Sequence, residues 1–250
     1  MGRVIAMAGK GGTGKTTTAA LIVAIIKEKK LGSILAIDAD PNNNLAEALG
    51  LFAKETIGSI LDDITTHPEK VPSGMTKDRF IEYEVQAAVE EGDGFDVLTM
   101  GRPEGPGCYC YVNNVLRNIM SNLIKDYDYV IIDNEAGLEH LSRRTTKTAD
   151  AMVIVSDPSV VGLKAAKRIV GLAKELKIQT KNSFLIINRA FADIENDKIK
   201  DLDIEYLGFI PHDSEIEKIS LNGSSLMNLK EEVLSLIHLR KLGERIWQRN

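Results

Sequence analysis

The chain has 250 residues, of which 44% are hydrophobic and 27% are charged, as is ordinary for a soluble globular protein. This composition excludes intrinsic disorder and collagen-like sequence, and no apolar run reaches the ~18–20 residues that a bilayer span needs. The net charge of −5 lacks the basic excess of a protein that binds nucleic acid in bulk. Two cysteines do not make a disulfide framework, and no leader precedes the first predicted strand, so we expect a cytoplasmic protein.

Short β-branched segments alternate with longer helical patterns along the chain. In chain order, strands are predicted at Val4–Ala8, Ile34–Ile37, Asp96–Leu98, Tyr129–Ile132, Met152–Val155, Phe184–Ile187 and Tyr206–Ile210. Continuous apolar strands separated by helices predict a doubly wound α/β fold of about seven mostly parallel strands, with helices on both faces. We expect one domain over residues 1–250, with helical elaboration around 61–94 whose amphipathic stretch Phe80–Glu91 packs on the sheet edge.

The first predicted strand runs into a glycine-rich segment, Gly9–Thr16, that fits the pattern GxxxxGK[ST]. A position between a strand and a helix is the context of a phosphate-binding P-loop. Backbone amides of such a loop surround phosphate oxygens, Lys15 can reach the β- and γ-phosphates, and the Thr16 hydroxyl can hold Mg²⁺. The residues expected to bind nucleotide here are Gly11, Gly12, Thr13, Gly14, Lys15, Thr16 and Thr17.

The same glycines also fit the dinucleotide-binding pattern GxGxxG, at Gly9, Gly11 and Gly14. In that alternative Asp38, at the end of the second predicted strand, would bind a ribose. It leaves Lys15 and its neighbouring threonine without a role, so the sequence favours the P-loop.

Lys10 is not required by an ordinary P-loop. The sequence Lys10–Thr17 resembles the deviant Walker A motif of a class of dimeric ATPases, which includes the nitrogenase iron protein, the Min and Par positioning ATPases and metal-centre maturation factors. The resemblance implies that Lys10 crosses a homodimer interface to the partner's nucleotide, where a cation stabilises charge developing between the β- and γ-phosphates. A lysine that contacts phosphates in its own subunit, or is merely solvated, is the alternative.

Two carboxylates, Asp38 and Asp40, follow the second predicted strand. The resemblance implies that Asp38 holds a water on Mg²⁺ and that Asp40, in the first switch, orients or activates the attacking water. As an alternative, Asp40 could simply cap the helix near Leu45.

A third carboxylate, Asp133, follows four apolar residues of the fourth predicted strand, as in a Walker B motif. That position places it at the carboxyl edge of the sheet beside the P-loop, where it can ligate Mg²⁺ through water. Gly137 gives the second switch the freedom to sense the γ-phosphate. Positioning ATPases usually have a proline where Glu135 stands, and this residue could report nucleotide state or pair with Arg143 or Arg144.

Two later strand ends carry the residues expected at the base. Asn188 and Arg189 end one strand, and Pro211, His212 and Asp213 end the last. The class resemblance implies that the asparagine reads the adenine edge and that the residues after Ile-Pro close the base pocket. Asparagine can pair bidentately with adenine, and the guanine signature NKxD is absent from the sequence, so ATP is favoured over GTP.

Both cysteines, Cys108 and Cys110, lie in a Pro/Gly-rich segment before a predicted helix at Val112–Lys125. A C-x-C disulfide would be strained. One C-x-C supplies two thiolates, whereas a closed soft-metal site needs four ligands, which a homodimer would supply.

The P-loop, the switch Asp133–Gly137 and the segment Gly107–Cys110 together resemble the CooC family over essentially the whole chain. The resemblance implies an ATP-hydrolysing homodimer that binds Ni²⁺, or Zn²⁺ in its place, through both cysteines. It also implies a role in nickel insertion into carbon monoxide dehydrogenase or, in a close branch, acetyl-CoA synthase. The alternatives are an iron–sulfur carrier, whose cysteines lie far apart in the chain, and a positioning ATPase, which needs no cysteine pair. The expected partners are a second copy and the client enzyme, with neither nucleic acid nor membrane.

Overall fold

The computed structural model describes residues 2–101, 110–135, 138 and 148–248, without the side chains of 110–114 and 196. Its strands are β1 Arg3–Ala8, β2 Ile34–Ala39, β3 Glu90–Glu91, β4 Asp96–Thr99, β5 Tyr129–Asn134, β6 Thr148–Ser156, β7 Gln179–Ala190 and β8 Glu205–Pro211. They form one sheet in the order β3-β4-β2-β5-β1-β6-β7-β8, parallel except for the edge pair β3–β4. This arrangement confirms the predicted doubly wound α/β fold.

Helices cover both faces of the sheet. They are α1 Lys15–Glu28, α2 Asn44–Ala48, α3 Ile57–Thr66, α4 Lys77–Ala87, α5 Cys110–Leu123, α6 Val160–Glu175, α7 Ser214–Asn222 and α8 Leu234–Trp247. One core layer joins α1 and α8 to the sheet, and the other joins α3, α4, α5 and α6 to its opposite face. None of the helices among the described residues has both the length and the apolar character needed to cross a bilayer.

The position of β1 decides where a ligand can bind. This strand lies between β5 and β6, and the chain leaves it for β2 on one side before it later reaches β6 on the other. The neighbouring connections therefore diverge at the carboxyl end of β1, which opens a crevice there. The glycine-rich segment begins in this crevice, directly after Ala8.

The prediction of one amphipathic helical stretch over Phe80–Glu91 was wrong in its bounds. Helix α4 ends at Ala87, and its buried Ile81 and Val85 share a core layer with Leu98 of β4 and with α3 and α5. Glu90 and Glu91 instead form the antiparallel edge strand β3 beside β4. A tight turn explains the difference, because Gly92 N donates to Phe95 O at 2.8 Å and returns the chain alongside itself.

The C-terminal helix α8 is bound firmly to the rest of the fold. It contacts β8, α1 and β1, and Arg240 forms an ion pair of 2.7 Å with Glu28 at the end of α1. Tyr129 of β5 donates a hydrogen bond to Trp247 O at 3.1 Å. Through these contacts α8 supports α1, the helix that follows the glycine-rich loop.

We expect Leu239→Ala to lower the free energy of unfolding by about 2–5 kcal/mol, because Leu239 of α8 is 0% exposed and its loss leaves a cavity. The measurement is urea unfolding followed by circular dichroism. Leu234→Ala is the matched control, since Leu234 lies on the same helix and is 54% exposed. Equal losses for the two variants would show that α8 is not docked as described.

Candidate nucleotide site

The loop between β1 and α1 has a backbone that only glycine accommodates at two of its positions. Gly9 and Gly14 have φ angles of 153° and 91°. A Cβ atom at Gly9 would lie 2.4 Å from Val155 O, and one at Gly14 would lie 2.2 Å from Asn188 Nδ2. The loop is thus packed tightly against the carboxyl ends of β6 and β7, and its last glycine caps the N-terminus of α1. Free amides at such a terminus bind anions.

The two lysines of the loop have different environments. Lys15 is 7% exposed, and its Nζ lies 3.5 Å from Lys10 O, so the ammonium points back over the loop. The Lys10 side chain is exposed. Thr13 holds the loop between them, since its hydroxyl donates to Lys10 O at 2.9 Å. Lys15 is therefore directed at the phosphate site of its own chain, whereas Lys10 is available to a second molecule.

A short hydrogen bond joins α1 to β5 below the loop. The Thr16 hydroxyl donates to Asp133 Oδ2 at 2.6 Å. Asp133 is 1% exposed, and its Oδ1 has no hydrogen-bond partner among the described residues. Burial raises the pKa of Asp133 to about 6, although the Thr16 hydrogen bond and the charge of Lys15 act in the opposite direction. A buried carboxylate oxygen beside a hydroxyl is a suitable ligand set for Mg²⁺.

Asp38 lies beside Asp133, because the two residues are register partners in the parallel pair β2–β5. It is 0% exposed, and burial raises its pKa to about 7, while the hydrogen bond from Leu45 N lowers it and the Asp133 charge raises it further. Its oxygens accept from Asp40 N at 3.1 Å and from Leu45 N at 2.7 Å. Asp38, not Asp40, therefore holds the start of α2, so the alternative role of Asp40 as a cap near Leu45 was wrong.

A cavity of about 560 Å³ opens over this group. Asp40 and Glu135 face it from the ends of β2 and β5, and α2 and α7 contribute further walls. The predicted residues that line it are Gly11, Gly12, Gly14, Lys15, Thr16, Thr17, Asp40, Glu135 and Arg189. The carboxyl edge thus brings together the loop, the first switch acid and the start of the second switch.

A second cavity of about 320 Å³ adjoins the first and shares Thr17, Arg189 and Ser220 with it. Leu21, Ile210 and Ile216 give it apolar walls. The predicted base-pocket residues that line it are Asn188, Arg189, Pro211, His212 and Asp213. A nucleotide with its phosphates in the larger cavity would extend across the shared residues and place its base here.

Two predicted base-pocket residues also support the loop. Asn188 donates from Nδ2 to Thr13 O at 2.8 Å and accepts from Arg189 N at 3.0 Å through Oδ1. Arg189 Nη1 donates to Gly12 O at 3.2 Å. Each polar group of Asn188 can form one further hydrogen bond, so one donor and one acceptor remain for a base.

Asp213 is a structural residue of the same cavity. One of its carboxylate oxygens accepts from Glu215 N at 3.0 Å and the other from Ser235 N at 2.9 Å, which ties together the starts of α7 and α8. The sequence reasoning did not identify Ile216, Ser220 and Leu221 of α7, which also line the cavity. Their position just after the Ile-Pro segment is the sequence feature from which their place in the cavity wall could have been predicted.

Five of the predicted site features lie outside the described residues. These are Cys108, the side chain of Cys110, Gly137, and Arg143 and Arg144, the alternative partners of Glu135. The main chain of Cys110 begins α5. Among the residues that the structure does describe, no group of three or more His, Cys, Asp or Glu residues could hold a metal ion.

A family model for the AAA domain matches residues 2–187, which include the loop, both switch strands and Asp133. The chain belongs to this P-loop ATPase family. An uncharacterized ATP-binding protein of Methanocaldococcus jannaschii is 41% identical over 97% of this chain and 98% of its own length. With this family and this site, the chain is an enzyme that hydrolyses ATP.

Two further relatives extend the comparison. The carbon monoxide dehydrogenase accessory protein CooC of Rhodospirillum rubrum is 30% identical over 90% of this chain and 89% of its own length. The crystal structure of the cell division ATPase MinD of Pyrococcus furiosus superposes with a TM-score of 0.71, at 23% identity and 98% coverage of both chains. The latter shows that the two proteins share a fold.

The buried acids should make the metal-free protein less stable as the pH rises from about 4 to 7. In this window the folded protein keeps protons on Asp38 and Asp133 that the unfolded chain, with Asp pKa values near ~3.9, has already released. Asp38→Asn should make this loss of stability shallower, as measured by thermal unfolding in chelator at several pH values. Asp201→Asn, at an exposed position, is the control and should reproduce the wild-type slope.

Proposed function

We propose that this ATPase acts as a homodimeric maturation factor that binds nickel through a C-x-C site shared by two subunits. It would couple ATP binding and hydrolysis to nickel insertion into carbon monoxide dehydrogenase. The observation that carries the proposal is the pairing of a C-x-C segment with a complete nucleotide site in one chain. The likeness to the CooC protein of Rhodospirillum rubrum supports it.

At the nucleotide site, Lys15 would bind the β- and γ-phosphates and Asp40 would orient the attacking water. Thr16 and Asp133 would hold Mg²⁺, with Asp38 behind them, and the bound ion would neutralise charge that develops on the phosphates. The unpartnered Asp133 Oδ1 supports this role of the carboxylate. The arrangement fits ATP because Asn188 keeps one donor and one acceptor, the pair of groups with which an asparagine can contact adenine.

The strand that precedes the cysteine segment in the chain is joined to the first switch strand. That segment follows β4, which pairs with the switch strand β2. Met100 N, at the end of β4, donates to Asp38 O at 2.8 Å. A change at the first switch would therefore act directly on the strand that leads to Cys108 and Cys110.

Lys10→Ala should keep MgATP binding but lose hydrolysis and ATP-induced dimerisation, because the exposed Lys10 would act on the partner's nucleotide. Asp40→Asn should bind ATP and hydrolyse it slowly. In a mixed dimer, the Asp40→Asn subunit can supply its Lys10 to the nucleotide site of the Lys10→Ala subunit, which still has Asp40. Mixing the two variants should therefore restore part of the activity. The measurement is phosphate release as a function of the mixing ratio.

The control for this experiment is the demonstration that mixed dimers form, for example by native mass spectrometry with one tagged subunit. A mixture that is as inactive as either parent, although mixed dimers are present, would rule out action across the interface. Lys10→Ala mixed with the double variant Lys10→Ala/Asp40→Asn provides a matched negative reference, because no subunit of that dimer supplies Lys10.

The dimer should bind one Ni²⁺ or Zn²⁺, since two thiolates from each chain make four ligands. Cys108→Ala and Cys110→Ala should each weaken binding steeply, because each change removes two of the four ligands. ATP hydrolysis without the client should survive in both variants. Metal titration with native mass spectrometry in each nucleotide state measures the stoichiometry, and tight binding of one metal per monomer by the double variant would contradict the shared site.

A positioning ATPase of the Min or Par type would use the same fold and nucleotide site without the cysteines. Nickel loading of apo carbon monoxide dehydrogenase by wild-type protein, lost in the double cysteine variant, would support the maturation role. Normal loading by that variant would contradict it. ATP-dependent sedimentation of the protein with lipid vesicles or DNA would favour positioning instead.

A further inference from the structure

Glu135 brings a carboxylate to the phosphate cavity, which Asp40 and Glu47 also line. It lies immediately beyond β5, two residues after Asp133, and it lines the cavity together with Lys15, Thr16 and Asp40. The residue is partly buried. The site therefore presents acids from two neighbouring strands, Asp40 at the end of β2 and Glu135 at the end of β5.

The position of Glu135 is fixed by the residue before it. Asn134 is 1% exposed, and its Nδ2 donates to Met7 O at 2.7 Å, which binds the end of β5 to the central strand β1. Asn134 is also the register partner of Ala39, the residue that precedes Asp40. Glu135 and Asp40 thus leave the sheet side by side from anchored strand ends, at the start of the two switches.

The carboxylates of Asp40 and Glu135 differ in the hydrogen bonds that they already accept. Asp40 Oδ1 accepts from Asn42 N at 2.9 Å and from Asn42 Nδ2 at 2.8 Å, so that oxygen shapes the switch turn. Glu135 forms no hydrogen bond or ion pair with any residue in the described part of the chain. Within those residues Glu135 is the carboxylate of the pair with both oxygens available to a ligand.

We propose that Glu135 is a catalytic residue of the ATPase, which accepts a hydrogen bond from the attacking water and takes its proton. The water oxygen forms a bond to the γ-phosphorus while the bond from phosphorus to the bridging oxygen breaks and its electrons leave with ADP. The proton passes to Glu135 and is returned to the inorganic phosphate. Asp40 contributes by shaping the switch turn and by contacting the same water.

This inference rests on the nucleotide site of the proposed function and not on metal delivery. A carboxylate beside the triphosphate repels it, so Glu135 would not strengthen ATP binding, and its contribution would be to the reaction. Removing its charge should therefore slow turnover without weakening ATP binding. A residue that only supported the fold would change both quantities or neither.

The test compares Glu135→Gln with wild type in steady-state ATP hydrolysis and in equilibrium binding of a fluorescent ATP analogue. We expect kcat to fall by roughly 100-fold or more, with an unchanged or lower Kd. Glu135→Asp should recover part of the rate. The double variant with Asp40→Asn should lose less than the product of the two single losses, because both residues contact one water.

Glu175→Gln, at an exposed position on α6, is the control for the loss of one negative charge and should leave kcat unchanged. Hydrolysis by Glu135→Gln within about twofold of wild type would overturn the inference, as would a fall in kcat matched by an equal loss of ATP affinity. An inactive wild-type protein in the same assay would count against the proposed function instead, so the two failures are distinguishable.

Discussion

The hydrogen bond from Thr16 to Asp133 is the interaction on which the site depends. It joins the first turn of α1 to the end of β5 at the crevice beside β1, where the fold leaves room for a ligand. Asp38 lies in register beside Asp133, so two carboxylates are buried next to each other. Burial raises the pKa of both carboxyls, and a bound cation would favour their charged forms.

At the base end of the site, the polar side chains have two roles. They form hydrogen bonds within the protein, and they also line the cavity that a base would enter. Asn188 supports the P-loop through Thr13, and Asp213 joins the starts of α7 and α8. Because these residues form the wall that a base would contact, the shape of the cavity depends on the packing of α7 and α8. Nucleotide selectivity is then set both by the remaining hydrogen-bonding groups and by this packing.

The sequence identified most of the residues that meet at the carboxyl edge, because strand ends and the P-loop pattern have fixed positions in a doubly wound fold. The residues alone did not distinguish the two acids of the first switch, and only the family resemblance gave them different roles. Only the tertiary structure shows that Asp38 is buried and holds Leu45 N, whereas Asp40 faces the cavity. It also shows that Glu135, whose role the sequence left open, lines the same cavity as Asp40.

By itself the sequence determined the order of strands and helices, the P-loop and the ATPase chemistry, because these follow from local apolar patterns and one short motif. It did not determine the antiparallel edge strand at Glu90–Glu91, which depends on a tight turn that pairs two short segments. Nor did it show that α7 lines the base cavity, or that Asn188 and Asp213 bond to backbone groups far along the chain. These features need contacts between residues distant in sequence, which only the packed sheet and its helices bring within hydrogen-bond reach.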